Sequence, residues 1–203
     1  MIEAWPALLE PKHKLLDVGC WDGERLYKIR NKCNVIGIDR DITKFKTAKK
    51  EIKKKLFYGD ITKTIPFQYK FDWILLRDVL EHLEEEDKAL KNISNSMKEG
   101  AYLIMSTPKH VPFLNWYDPA WIRWKLGGRE RHKHYTYAEL SKKLKKHSLH
   151  IKIYQIEGTI KWVFARWING FFKHVLGTKK QITTPWSEGY FEWVLIARKE
   201  SKK

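Results

Sequence analysis

The stretch Lys14-Leu15-Leu16-Asp17-Val18-Gly19-Cys20-Trp21-Asp22-Gly23 carries the strongest fold signal in the chain. The apolar residues on both sides of Asp17 predict a short buried strand that ends at a glycine-containing turn. Leu26 and Ile29 follow with the spacing of a helix. A strand that breaks at glycine and leads into a helix brings bare backbone and a helix amino terminus close to a ligand. We therefore expect this turn to bind one.

The turn lacks the composition of a phosphate-binding loop. A dinucleotide-binding turn needs the pattern G-x-G-x-x-G so that the backbone can approach a pyrophosphate. Here Gly19 is followed by Trp21 and Glu24 at the positions of the second and third glycines, and Asp17 adds a negative charge. The sequence also has no G-x-x-x-x-G-K-[ST] loop. These patterns argue against nicotinamide dinucleotides and nucleoside triphosphates as ligands.

Further apolar runs alternate with helix-like segments along the chain. Residues 34–39, 56–61 and 71–76 predict three more strands, and the first of these ends at Asp39. Asp39 follows the glycine turn by about twenty residues, where a carboxylate can accept hydrogen bonds from both hydroxyls of a ribose. A charge at a helix start is the alternative for Asp39. We favour the ribose.

Two motifs together resemble one enzyme family. The pattern Asp-x-Gly-x-x-x-Gly over residues 17–23 resembles motif I of class I S-adenosylmethionine-dependent methyltransferases, although Trp21 stands where that family has its middle glycine. Residues 77–83, Arg-Asp-Val-Leu-Glu-His-Leu, follow the fourth predicted strand. They resemble the D-V-L-E-H-L signature of the type 11, ubiquinone-synthesis-like methyltransferases. The resemblance covers about residues 12–156 and, more weakly, the last strand.

The resemblance implies an α/β fold: a doubly wound, seven-stranded, mostly parallel sheet with helices on both faces and an antiparallel last strand. The remaining strands are expected at residues 101–106, 149–156 and 190–198. Helices are expected at residues 43–55, at residues 84–98 with Gly100 as the end signal, and at Tyr137–Lys146. Thr136 and Glu139 form the sequence pattern of a capping box before this last helix.

The resemblance also implies S-adenosylmethionine as cofactor. Its sulfonium and ammonium groups are positively charged, so acidic residues at the ends of strands would attract it. By position, Asp39 is the ribose ligand, Asp60 accepts from the adenine amine, and Ile61 packs on the ring. A simple turn aspartate is the alternative for Asp60. The predicted cofactor-binding residues are Asp17, Gly19, Cys20, Trp21, Gly23, Asp39, Arg40, Asp60, Ile61, Arg77 and Asp78.

Histidines are the candidate catalytic residues. Methyl transfer is an in-line displacement that depends mainly on holding two atoms close together, but a hydroxyl acceptor benefits from a general base. His82 lies just past the fourth strand, at the sheet edge where α/β sites occur. His132 and His134 lie on an insertion expected to cover the same edge. The alternative for His82 is packing against the cofactor loop.

We expect no metal at this site, but the sequence leaves one second hypothesis open. Asp78, Glu81 and His82 have the i, i+3, i+4 spacing of one helix face and, with His132 or His134, could bind a divalent ion. A related pattern occurs in small-RNA 3′-terminal 2′-O-methyltransferases and in some ubiquinone O-methyltransferases. Those RNA enzymes have glutamate where this chain has Asp78.

Two insertions are expected to cover the acceptor, at about residues 107–134 and 158–188. Together they contain six of the ten tryptophans. A helix over residues 160–176 has a broad aromatic face with a basic rim, which is typical of a lid over a pocket or of a helix lying in a membrane surface. We therefore predict methylation of a small-molecule or lipid-like acceptor, more readily on oxygen than on nitrogen.

Composition sets the remaining expectations. The net charge of +16 favours an anionic partner, and it makes an RNA 2′-O-methyltransferase the first alternative. A non-catalytic cofactor-binding or membrane-associated module is the second, because of Trp21. Two cysteines and the absence of a signal pattern suggest a cytoplasmic protein, with peripheral membrane contact through residues 160–176 as an option. We expect a single domain over residues 1–203, and the oligomeric state stays open.

Overall fold

Seven strands form one mixed sheet in the computed structural model, which describes residues 2–158, 160–178 and 191–201. The strands are β1 Lys14–Val18, β2 Asn34–Asp39, β3 Leu56–Tyr58, β4 Phe71–Arg77, β5 Met97–Pro108, β6 Leu149–Glu157 and β7 Glu192–Lys199. Their order is β3-β2-β1-β4-β5-β7-β6, and β7 runs antiparallel to both of its neighbours, β5 and β6. This arrangement confirms the predicted fold class.

Six α-helices are present among these residues. They are α1 Glu24–Ile29, α2 Lys50–Lys53, α3 Glu86–Ser96, α4 Pro119–Lys125, α5 Tyr137–Lys146 and α6 Ile160–His174. Short 3₁₀ helices lie at Ile2–Leu8, Ile42–Thr47, Leu80–His82 and Asn115–Tyr117. No helix in the described ranges is both long and apolar enough to cross a bilayer.

The central strands are buried on both faces, which explains their continuous apolar sequences. One apolar cluster joins the sheet to α3 and α5, through side chains such as Leu90 and Leu144. The other joins it to α1 and α2, through Leu26 and Ile52, and also contains Cys33. Burial raises the pKa of the Cys33 thiol to about 11.

Parallel pairing brings the carboxyl ends of the first strands to one edge. Val18 of β1 is level with Ile38 of β2 and with Leu76 of β4. Asp39, the last residue of β2, is level with Tyr58 of β3. The turns that follow these strands are therefore neighbours, as the sequence predicted for the acids at the strand ends.

Two predicted helices differ from the structure. Residues 43–55 do not form one helix, because an extended backbone at Ala48 and Lys49 separates the 3₁₀ turn Ile42–Thr47 from α2. The helix predicted at 84–98 is shorter, since α3 covers Glu86–Ser96 and β5 begins at Met97. Gly100 therefore lies inside a strand rather than at a helix end.

The later elements follow the prediction more closely. The helix Tyr137–Lys146 has the predicted bounds, and α6 ends at His174, two residues before the predicted Leu176. Strand β7 begins at Glu192, and the first predicted residue of this strand, at 190, lies outside the described residues. The same holds for residues 179–188 of the second insertion.

The capping box at the start of α5 gives a direct test of local stability. The Thr136 hydroxyl accepts a hydrogen bond from the backbone N–H of Glu139, and the Glu139 carboxylate accepts one from the N–H of Thr136. Thr136→Ala should lower the free energy of unfolding by about 1 kcal/mol, which is about 2–4 °C in Tm for a chain of this size. Thr136→Ser keeps the acceptor and should match the unmodified protein in thermal denaturation. Equal Tm values for all three would show that the box contributes nothing.

Candidate active site

The turn after β1 is held to β2 by backbone hydrogen bonds. The N–H groups of Gly19 and Cys20 both donate to the carbonyl oxygen of Ile38, at 2.9 and 3.1 Å. Next in the chain, the Trp21 N–H donates to Asp39 Oδ2 at 3.0 Å, while the Asp41 N–H donates to Asp39 Oδ1 at 2.9 Å. The carboxylate of Asp39 therefore fixes the turns that follow both strands.

Trp21 takes the backbone conformation that a glycine would normally supply. Its φ of +55° is in the left-handed region, as is the φ of +69° at Gly19. This conformation costs a tryptophan about 1–2 kcal/mol, and the hydrogen bond to Asp39 helps to offset that cost. The indole is 56% exposed, with Lys44 Nζ 4.0 Å from its ring centre. The ring thus lies at the surface and the turn keeps a glycine-like path.

Asp17 is an unusual buried carboxylate. Its side chain is fully buried and neither oxygen makes a hydrogen bond; its charged neighbour is Arg25, whose Nε lies 3.4 Å from Oδ2. Burial raises the pKa of Asp17, and Arg25 and Arg77 only partly oppose this effect. A buried carboxylate that lacks hydrogen bonds is costly unless a partner satisfies it. A cationic ligand group would do so.

Three other predicted contact residues have different surroundings. Asp60 Oδ1 accepts from both the backbone N–H and the hydroxyl of Thr62, and these bonds keep the pKa of Asp60 below its usual value despite some burial. Ile61 is buried in the core, and Arg40 is exposed. Asp60 and Arg40 are thus the accessible members of this group.

Cys20 and Gly23 shape the turn. The Cys20 side chain lies so close to Gly37 that a Cβ at that position would be 2.7 Å from its Sγ. Burial raises the pKa of the Cys20 thiol strongly. This thiol therefore packs beneath the turn, and only its backbone can face a ligand. Gly23, with φ of +76°, caps the start of α1.

The segment after β4 is fixed to β5. Asp78 has a φ of +55°, its N–H donates to the Ser106 carbonyl at 3.1 Å, and its Oδ1 accepts from the Ser106 hydroxyl at 2.8 Å. Arg77 Nε in turn approaches the Ser106 oxygen at 3.5 Å. A strained non-glycine residue that is held in this way is common at functional sites.

His82 has a defined orientation at the same edge. Its Nδ1 lies 2.8 Å from the carbonyl oxygen of Arg131, which can only accept, so Nδ1 carries the proton and Nε2 has the lone pair. The side chain is 37% exposed, and burial lowers its pKa although the bond to Arg131 opposes this. His82 is therefore arranged as an accessible base.

His132 and His134 have a different partner. Both Nε2 atoms lie 2.8 Å from Oδ2 of Asp118, which is fully buried at the start of α4. Although burial alone would raise it, the pKa of Asp118 is held far below its usual range by the two histidines. The predicted catalytic roles of His132 and His134 are thus less direct than that of His82.

The four-residue metal set suggested by the sequence does not come together. Among the described residues, the His, Cys, Asp and Glu side chains with three ligand atoms close enough for an ion are those of Asp118, His132 and His134. Glu81 instead turns inward, where its Oε2 accepts from Thr107 at 3.3 Å, and burial raises its pKa well above normal. A ligand carboxyl group must be ionised, and the burial of Glu81 opposes its ionisation.

Sequence reasoning missed the residues that orient this site. Ser106 lies within an apolar strand, and Arg131 contacts the carbonyl groups of Glu81 and Leu83 as well as the Glu86 carboxylate. Asp118 precedes Pro119, which reads as an ordinary helix start. Only its pairing with two histidines on a distant segment gives it another meaning, and a single sequence does not show that pairing.

Comparison with known proteins identifies the family. The sequence profile described as "Methyltransferase domain" matches residues 9–185. The chain belongs to this methyltransferase family. Family membership confirms that the protein is an enzyme of this class with S-adenosylmethionine as its cofactor, whereas the type 11 subfamily stays a prediction. A search of curated proteins finds no matching sequence.

Solved structures show the same fold in other methyltransferases. A protein from Galdieria sulphuraria, proposed to be a sarcosine dimethylglycine methyltransferase, has a TM-score of 0.74 at 13% identity, over 98% of this chain and 83% of that one. Magnesium protoporphyrin IX methyltransferase from Synechocystis has a TM-score of 0.64 at 16% identity, over 98% of this chain and 80% of that one. The N-methyltransferase NodS from Bradyrhizobium japonicum has a TM-score of 0.62 at 15% identity, over 93% of this chain and 79% of that one.

The state of Asp17 in this methyltransferase can be tested by one substitution. Asp17→Asn removes a buried charge, so it should stabilise the cofactor-free protein. Its Tm should rise by about 2–4 °C for each kcal/mol added to the free energy of unfolding. Because the elevated pKa of Asp17 makes its ionisation costly, the gain should be present at neutral pH and vanish as the pH falls below the usual aspartate range. Calorimetric titration should show cofactor affinity reduced about tenfold or more.

Asp72→Asn is the matched control. Asp72 lies at the opposite end of β4, and despite partial burial its pKa is lowered by hydrogen bonds from Lys98 and the Lys14 N–H. Its replacement should lower the Tm and leave cofactor affinity unchanged. A destabilised Asp17→Asn variant with normal affinity would contradict the assignment of Asp17.

Proposed function

We propose that this methyltransferase transfers a methyl group from S-adenosylmethionine to a hydroxyl oxygen of a small or lipid-like acceptor, with His82 as general base. The observation that carries the proposal is the orientation of His82: Nδ1 is bound to the Arg131 carbonyl, which leaves Nε2 unprotonated and accessible at the carboxyl edge of the sheet. When bound, the cofactor supplies an electrophilic methyl group on a positively charged sulfur.

The acidic edge of the sheet binds the donor in this proposal. Asp17 would satisfy the ammonium group, Asp39 would accept from the ribose hydroxyls with the lone pairs that its two backbone bonds leave, and Asp60 would accept from the adenine amine. Asp78 and Arg77 shape the far side of the site through Ser106. The bare backbone at Gly19 is needed here, since a Cβ there would lie 2.4 Å from Val79 Cγ2.

His82 removes the proton of the acceptor. Nε2 would accept the hydroxyl proton of the acceptor, and the Arg131 carbonyl would stabilise the resulting imidazolium through Nδ1–H. Because burial lowers the pKa of His82, the neutral base predominates at neutral pH. An amine acceptor would need this base less, which is why an oxygen nucleophile is favoured.

The base role predicts a specific pH dependence. With saturating cofactor, kcat/KM should rise with pH, level off, and give an apparent pKa below the ordinary histidine value of 6.5, because the protonated form that fails to act predominates only below that pKa. His82→Asn should reduce kcat by about 100-fold or more and remove this titration, with cofactor affinity unchanged in calorimetry. If His82 only packs on the cofactor loop, affinity will fall and the pH profile will keep its shape.

Both insertions, which we propose to cover the acceptor, carry exposed apolar side chains. In the first insertion Phe113, Leu114, Trp116 and Leu126 are exposed; in and after α6 the exposed ones are Phe164, Trp167, Ile168, Phe171, Val175 and Leu176. Val163 and Ala165 are buried, whereas Phe164, Trp167, Ile168 and Phe171 have the i, i+3, i+4, i+7 spacing of one helix face and are exposed to solvent. A lipid-like acceptor, or a membrane that contains it, suits this surface.

Vesicle binding tests the proposed contact of α6 with lipid. Vesicles that contain acidic phospholipid should sediment the protein, and binding should fall about tenfold when Phe164 and Phe171, 58% and 52% exposed, are both replaced by serine. Leu8 is an apolar residue of similar exposure that lies before β1, far from α6 in the sequence. Leu8→Ser should therefore have no effect on vesicle binding. If α6 is instead a lid, the double variant will bind vesicles normally but show a raised KM for the acceptor.

RNA is the second candidate acceptor, because the net charge of +16 favours a polyanion. Incubation of the protein with radiolabelled methyl donor and fractionated cellular lipid, RNA and protein separates the two. Label in the lipid fraction supports the proposal, and label in RNA with a steep salt dependence of binding supports the alternative. Cofactor binding without transfer to any fraction would indicate a non-catalytic module.

A further inference from the structure

A carboxylate and two imidazoles converge inside the first insertion. Asp118 Oδ2 lies 2.8 Å from Nε2 of His132 and 2.8 Å from Nε2 of His134, and the three atoms all lie within 4.8 Å of one another. The other oxygen of Asp118 accepts from the N–H of Ala120 and caps α4. The side chains of Asp118 and His134 are almost completely buried, and that of His132 is mostly so. Oδ2 is thus left to the two histidines.

The protonation of His134 can be assigned from its neighbours. Asn115 Oδ1 accepts from the backbone N–H of Val111 at 2.9 Å, so this atom is the amide oxygen and not the nitrogen. It lies 3.2 Å from His134 Nδ1, which must therefore carry a proton. Nε2 of His134 lies within hydrogen-bond distance of Asp118 Oδ2, at 2.8 Å, and because a carboxylate oxygen only accepts, this nitrogen donates a proton there unless a cation replaces that proton.

The ring nitrogens of His132 lack hydrogen-bond partners. Although its Nε2 is 2.8 Å from Asp118 Oδ2, the geometry is not that of a hydrogen bond, and neither ring nitrogen of this buried side chain has a hydrogen-bond partner. Ligand atoms of two imidazoles and one carboxylate thus lie within 4.8 Å of one another, and the nitrogens of His132 lack a hydrogen-bond partner. A cation at that place satisfies all three, since nitrogen and carboxylate oxygen are ligands for it.

We propose that Asp118, His132 and His134 form a binding site for one divalent transition-metal ion of the zinc class, with Asn115 as the outer partner that orients His134. Zinc binds imidazole nitrogen and carboxylate oxygen at about 2.0–2.2 Å, so tetrahedral ligation needs nitrogen–oxygen separations of about 3.3 Å. Each histidine Nε2 lies 2.8 Å from Asp118 Oδ2, so each nitrogen–oxygen separation needs to increase by only about 0.5 Å. A hydrogen bond from Nδ1 of a ligating histidine to a fixed oxygen is the usual second shell.

The ion would cross-link two parts of the first insertion. Asp118 begins α4, whereas His132 and His134 lie in the segment that leads to α5, so one ion would join the two ends of this part of the chain. Three protein ligands leave a coordination position for water or for an acceptor oxygen. The ring of His132 lies 5.0 Å from that of His82, centre to centre, which places the ion close to the proposed base. The site itself does not depend on the proposed methylation.

Zinc titration of the chelator-treated full-length protein tests the proposal. Calorimetry should show one equivalent of Zn²⁺ bound and a Tm that rises with the metal and falls again with chelator. Co²⁺ as a probe should give the visible absorption of a four-coordinate nitrogen and oxygen site. Absence of saturable binding by the unmodified protein would overturn the proposal, whatever the variants do.

Substitutions locate the ion. Asp118→Asn keeps the helix cap but weakens the ligand, and His132→Asn removes a ligand at the edge of the site. Each should lower Zn²⁺ affinity about tenfold or more and abolish the cobalt spectrum. The matched control is His147→Asn, because His147 also pairs with an aspartate, Asp87, at 3.4 Å but has no third ligand. The Zn²⁺ affinity of the His147→Asn variant should equal that of the unmodified protein.

Circular dichroism shows whether each variant is folded. If folded Asp118→Asn and His132→Asn variants bind Zn²⁺ as tightly as the unmodified protein, the ion binds elsewhere and the proposal is wrong. Failure of methyl transfer with normal zinc binding would contradict the proposed function and leave the metal site intact.

Discussion

The hydrogen bonds between the Asp39 carboxylate and the backbone N–H groups of Trp21 and Asp41 hold the site together. One acidic side chain at the end of β2 stabilises the left-handed turn after β1 and the start of its own following segment. Without this contact a tryptophan in a glycine conformation would be unfavourable.

The parallel half of the fold was predictable because each strand carries its own signal. Strands β1, β2 and β4 are mostly apolar, and each has an acid at or next to its end. Parallel pairing then places Asp17 and Asp39 at one edge. The predictions failed where tertiary packing overrides local pattern. Gly100 looks like a helix terminus, yet it lies in β5, whose first residue Met97 pairs with Phe71 before a register shift.

The candidate site was only partly predictable, for a related reason. Cofactor residues follow strand ends, so their positions can be read along the chain. The surroundings of His82, His132 and His134 depend instead on contacts between segments far apart in sequence, such as the Arg131 carbonyl for His82 and Asp118 for the other two. Sequence spacing grouped His134 with Glu81, whereas in the fold Glu81 is buried against Thr107 and His134 pairs with Asp118.

The two native thiols have a practical consequence. Cys20 lies beneath the turn against Gly37, and Cys33 lies in the core between the sheet and α1, with both thiol pKa values raised by burial. A thiol reacts as the thiolate, so maleimide and iodoacetamide reagents should modify neither in the native state. One cysteine introduced on the exposed side of α6 can therefore carry a fluorophore without removal of the native ones, and its emission can report what that helix contacts.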